Sequence, residues 1–241
     1  MFRVLTAVVL LVIAVVCANG DPAHDALVNL TKKLHSGHGL TYDVNSWGQS
    51  KYIDFRTGEF LLTAYLAKSN GNVVNCYDQA GALYIMSRMM GINSEFVFMG
   101  NRTVRNPRTG AVLYTNGKPP FGFVNPVDLV GEELCNNPFY PNTTSGKITS
   151  DSDETDPAVR TMFVNHAFVR HAGLIYDACA LYLGTGNLQQ YATATIDISS
   201  VPERQSSPDG ATWGGNEDGV FSQAEVDNAL DLSQQPIKGF K

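Results

Sequence analysis

The sequence predicts an α+β protein in which helices come first and an antiparallel sheet follows. Three observations carry this. Apolar residues recur at helical spacing between positions 57 and 90. From position 94 the apolar stretches become short, rich in Phe and Val, and bounded by Gly and Pro. No internal repeat interrupts that order. With 241 residues, 44% of them hydrophobic and 17% charged, the chain can bury a core without a lattice of disulfides. Its net charge of −6, with no block of Lys or Arg, argues against nucleic acid as a partner.

The elements follow in chain order. Arg3 precedes an uncharged apolar run from Val4 to Ala18, short for a membrane span of ~30 Å but suited to a signal peptide, with small residues at Ala18 and Gly20. Residues 1–20 are therefore read as a cleaved export signal, the mature protein as secreted, with no membrane association afterwards. Thr57-Gly58-Glu59 then offers an N-cap and a first-turn acid to a helix carrying Phe60, Leu61, Ala64, Tyr65 and Leu66, stopped by Asn70-Gly71. Asn75 caps a second helix, from Cys76 to about Met90, which ends at Gly91. Strands are expected over 94–99, 112–115 and 121–124. A Ser/Thr/Asp-rich surface loop covers 143–157, and a hairpin of 162–169 with 174–178 turns at His171-Ala172-Gly173. The main domain is placed at 21–198. Residues 199–241 read as a polar extension with a short helical pattern at 223–230.

The chemistry gathers on Cys76, His166 and Asp177. A cysteine in the first turn of a helix has the partial positive charge and unpaired N–H groups that favour a thiolate and an oxyanion. His166 lies on a strand and Asp177 on its hairpin partner, so a carboxylate can orient the imidazole. Taken singly, each residue also has an ordinary role, as a buried small hydrophobe, a structural histidine or a turn former. Their joint placement favours acyl transfer.

Asn75-Cys76-Tyr77-Asp78-Gln79-Ala80, His166-Ala167-Phe168-Val169 and Ile175-Tyr176-Asp177 together resemble the transglutaminase-like superfamily over about residues 57–180. The resemblance implies a papain-like core with helices packed on an antiparallel sheet. It makes Cys76 the nucleophile, His166 the general base and acid, and Asp177 the orienting carboxylate. A protein or peptide substrate and no organic cofactor are implied with it. The eleven-residue spacing from His166 to Asp177 is tighter than the family often shows, and an oxyanion-assisting side chain is not evident, Trp47 and Gln49 being the upstream candidates.

Removing Cys17 with the signal leaves Cys76, Cys135 and Cys179, one bridge and one thiol in an oxidising compartment. A reduced Cys76 leaves Cys135–Cys179 as the bridge, and pairings through Cys76 stay open. Asn29, Asn101 and Asn142 head glycosylation sequons. Asn216, Asp218, Val220 and Glu225 resemble the later positions of a calcium-binding EF-hand loop whose first position is Gly214. His24, His35 and His38 lack further ligands at zinc spacing. Two other function classes fit the same residues: a catalytically silent secreted binding or matrix protein, and a calcium-responsive one.

Overall fold

The computed structural model describes residues 21–44, 48–106, 108–118, 121–122, 124–135, 163–197, 223–231 and 237–241. In chain order the elements are α1 (Pro22–Ser36), β1 (Thr41–Tyr42), β2 (Ile53–Asp54), β3 (Glu59–Phe60), α2 (Leu62–Ala67), β4 (Val73–Val74) and α3 (Cys76–Met89). There follow β5 (Glu95–Gly100), β6 (Thr103–Arg105), β7 (Val112–Thr115), β8 (Val127–Leu129) and β9 (Glu133–Cys135). The chain closes with β10 (Asn165–His171), β11 (Leu174–Asp177), β12 (Tyr182–Leu183), α4 (Leu188–Thr195), α5 (Gln223–Ala229) and β13 (Gly239–Phe240). Helices and several sheets share one hydrophobic core, an α+β arrangement.

The central sheet runs β12-β11-β10-β5, antiparallel throughout. Residues 166–169 are all buried, and since successive side chains on a strand point to opposite faces, both faces of β10 are covered. On one face, Tyr77 of α3 packs against Phe96 and Phe98, and His24 of α1 against Tyr176. On the other, Tyr191 of α4 lies 4.6 Å, ring to ring, from Phe168. The turn between β10 and β11 is a two-residue loop with positive φ at Ala172 (49°) and Gly173 (82°), the geometry that matches the twist of the flanking strands. The expected hairpin is thus present, turning where its glycine stands.

α3 forms where Asn75 predicts it. The Asn75 side chain accepts the Asp78 N–H while the Asp78 carboxylate accepts the Asn75 N–H, a reciprocal capping box. The helix is buried on nearly every side. Gly81 permits this, because a Cβ there would stand 2.8 Å from the Phe60 ring.

Other expectations are corrected. Thr57 is not a helix cap: the Asp54 carboxylate takes the N–H groups of Arg56 and Thr57 and folds 54–58 into a turn, so Glu59 and Phe60 pair as strand β3 with β2 and β13. The helix starts at Leu62, capped by no side chain. Helices α1 and α4 were not expected. Residues 121–124 contribute isolated bridges, Gly122 to Phe163 and Val124 to Ile196, rather than a strand. The segment after 198, expected as a polar extension, adds Val226, Ala229 and Ile237 to the common core. The export signal, the 143–157 loop, Trp47 and Asn142 lie outside the described residues. Among the described residues, no helix is long and apolar enough to cross a membrane.

Gly184 marks a close approach. Its φ is +70°, and a Cβ on it would lie 2.5 Å from the Tyr176 ring. Gly184→Ala should therefore cost about 2–4 kcal/mol, from left-handed strain and overpacking together. A thermal melt followed by circular dichroism reads it, and an unchanged midpoint would show that the Tyr176 ring gives way.

Candidate active site

The three expected residues come together. Asp177 follows Tyr176, which pairs with Val169, so one step further along the same register it faces Phe168 and has His166 as its diagonal neighbour on the same face. His166 Nε2 lies 2.7 Å from Asp177 Oδ2, with both side chains at most 5% exposed. Asp177 also accepts the Tyr191 hydroxyl on Oδ2 at 2.7 Å, and the N–H groups of Cys179 at 2.8 Å and Ala180 at 3.3 Å on Oδ1. Burial alone would raise its pKa, but the His166 charge and these donors hold it below the ordinary carboxylate value. His166 shows the reverse balance. Burial favours the neutral ring, yet Asp177 and then Cys76 push its pKa up to about 10.

Nε2 is committed to Asp177, and Nδ1 is buried with no hydrogen bond of ordinary geometry. The Cys76 thiol is near enough to raise the ring's pKa. Cys76 is the first residue of α3 and only 4% exposed. The Asp78 and Gln79 N–H groups are taken by Asn75. Those of Cys76 and Tyr77 have no acceptor among the described residues, which leaves two adjacent donors beside the sulfur. The imidazole sits in an aromatic shell of Phe121, Phe163 and Phe168, with ring centroids 5.2, 6.3 and 6.0 Å away.

Two functional residues were not expected. Tyr191, which fixes Asp177, rides on α4, and its signal was the Asn187-to-Gln190 capping box just before it. Tyr42 is buried, and its hydroxyl pKa is raised by burial and then by Cys76, Cys179 and Asp177, which places it among them. Gln49 lies exposed, its N–H on Asp43 at 3.0 Å, next to Gly48, whose carbonyl accepts the Asn75 side chain.

The expected Cys135–Cys179 bridge is not made: both residues are buried as thiols. A buried thiol packs as a small hydrophobe and needs no partner sulfur. Burial, then Asp177, pushes the Cys179 thiol well up, which disfavours it as a nucleophile. Asn29 is exposed on α1, and the Asn101 amide donates to the Lys118 carbonyl. Of the calcium candidates, Glu225 lies in the first turn of α5, while Asn216, Asp218 and Val220 lie outside the described residues. No group of three metal-ligating side chains occurs among the described residues. His24, His35 and His38 spend ring nitrogens on Tyr176, Asp128 and Tyr65 respectively. A cavity of about 470 Å³ lies at the hairpin end of the sheet, lined by Arg170, His171 and Asp227 among others, and holds none of the three active-site residues.

Comparison with known proteins adds no assignment, since no family model, curated protein or solved structure matches this chain.

Proposed function

We propose that this chain is a secreted cysteine-dependent acyl-transfer enzyme with a transglutaminase-like, papain-type core. One observation carries the reading: a buried histidine, held on Nε2 by a buried carboxylate at 2.7 Å, has its pKa raised by Cys76, which stands at a capped helix start.

The chemistry follows from those positions. With its thiol proton passed to His166 Nδ1, Cys76 Sγ attacks a carboxamide or peptide carbonyl carbon, forming the C–S bond, and the displaced C=O electron pair settles on oxygen facing the Cys76 and Tyr77 N–H groups. The His166 imidazolium gives its Nδ1 proton to the leaving amine as the C–N bond breaks, which leaves a thioester. Nδ1 then takes a proton from water, or from a substrate amine, whose attack breaks the C–S bond and frees the sulfur. Asp177 stays ionised and keeps the proton on Nε2, so that Nδ1 is the nitrogen that exchanges protons with sulfur and substrate.

Alkylation of the native chain with iodoacetamide, mapped by peptide mass spectrometry, tests the reading. At neutral pH Cys76 should be labelled at least about tenfold faster than Cys135 or Cys179. Cys76→Ala should fold normally and release no amine from glutamine-containing peptides. Equal labelling of all three thiols, or turnover in that variant, would remove the proposal.

A further inference from the structure

The β6–β7 hairpin leaves the body at the catalytic end of the central sheet. Gly100, the last residue of β5, pairs with Asn165, and Met99 with His166. The Asn165 side chain donates to the Asn101 carbonyl at 3.0 Å, so the hairpin root is tied to the residue beside the active-site histidine. Asn116 fastens the returning strand, accepting the Arg102 N–H and donating to the Gly100 carbonyl and to Asp231. Beyond this root the ribbon has two strands, so β7 is paired on one side among the described residues.

Two properties set this ribbon apart. Val112, Leu113 and Tyr114 are consecutive on β7 and 50%, 64% and 43% exposed. They point alternately to both faces, whereas a two-stranded ribbon in water gains little by showing apolar side chains on either. The second property is charge. Residues 96–127 contain no Asp or Glu but hold Arg102, Arg105, Arg108 and Lys118, leaving 13 of the 17 basic residues for the rest of the chain with all 23 acidic ones.

We infer that this hairpin is a docking strand for an acidic, extended polypeptide, which adds to the outer edge of β7. Main-chain hydrogen bonds along that edge supply affinity, and a third strand covers the apolar side chains. The local positive charge, set in an acidic protein, selects acidic partners and repels basic ones. The inference rests on the acyl-transfer reading in one respect: the docked polypeptide is the acyl donor, delivered beside His166.

The test selects short random peptides from a displayed library on the full chain carrying Cys76→Ala, in parallel with that chain carrying Arg108→Glu and Leu113→Asp as well. Recovered peptides should be acidic with alternating β-branched or aromatic residues. They should bind the hairpin variant about tenfold more weakly, and bind less as salt is raised. Neutral or basic winners, no enrichment, or equal binding to the hairpin variant would overturn the inference. So would vesicles containing phosphatidylserine being held through the hairpin in place of peptides. In the chain that keeps Cys76, iodoacetamide labelling of that residue should not change with Arg108→Glu and Leu113→Asp. An inert Cys76 with peptides still bound would therefore refute the chemistry while leaving the docking strand.

Discussion

Asp177→Asn should pull the upper pH limit of turnover down from about 10. The His166 pKa stands at about 10 because Asp177 outweighs a burial that favours the neutral ring. Without the carboxylate, only Cys76 opposes burial, and the imidazolium is lost at a lower pH. The amide also reverses the hydrogen-bond pattern. Its oxygen is needed by the Cys179 and Ala180 N–H groups, so its NH₂ turns to His166 Nε2. The neutral ring then carries its proton on Nδ1, the wrong tautomer to accept one there. Turnover near pH 8 should fall by roughly 10²–10⁴-fold, as when serine triads lose this carboxylate. The pH profile of amine release between pH 5 and 11 reads the first effect, and unchanged profiles would show that Asp177 does not govern His166.

The same pair makes a stability prediction whose sign is fixed by the two shifts. The pKa of His166 is raised in the folded state, so its contribution is complete below 6.5 and is lost as pH rises toward 10. That of Asp177 is lowered, so its contribution is complete above 3.8 and is lost as pH falls below it. The part of the melting temperature due to the pair should thus be greatest between about pH 4 and 6.5. Asp177→Asn should flatten the decline toward pH 10.

What the sequence made legible was local. Asn75 and Gly91 state where α3 begins and ends, because capping and positive φ involve neighbours within a few residues. Ala172-Gly173 states the hairpin for the same reason, and with it the diagonal that joins His166 to Asp177. The misreading of 57–61 has the opposite cause. The segment offers a plausible cap, but β3 is stabilised by β13, some 180 residues away, and no local pattern announces that pairing. Tyr191 was hidden likewise: its importance lies in a hydroxyl placed on Asp177 by tertiary packing. The cysteine count was a weaker guide, since all three cysteines stand as buried thiols.

Asp78→Ala should be among the most damaging single changes, costing about 3–5 kcal/mol and lowering the melting temperature by roughly 6–20 °C. The Asp78 carboxylate is fully buried and accepts four donors: Ser50 Oγ at 2.6 Å, and the N–H groups of Tyr52, Lys51 and Asn75 at 2.8, 2.9 and 3.3 Å. It thereby binds segment 50–52 to the start of α3 and completes the capping box. Alanine would leave three backbone donors and a hydroxyl facing a cavity. Burial raises the Asp78 pKa despite those donors, so the wild type gains stability from this group as pH falls toward 3.8. The gap between wild type and variant should therefore widen in mild acid. Because the Asn75 cap also holds the start of α3, whose N–H groups favour a thiolate there, Cys76 labelling should slow in the variant even well below its melting point. A variant that melts with the wild type, or labels at its rate, would mean that water replaces the carboxylate and that the helix start is held by Asn75 alone.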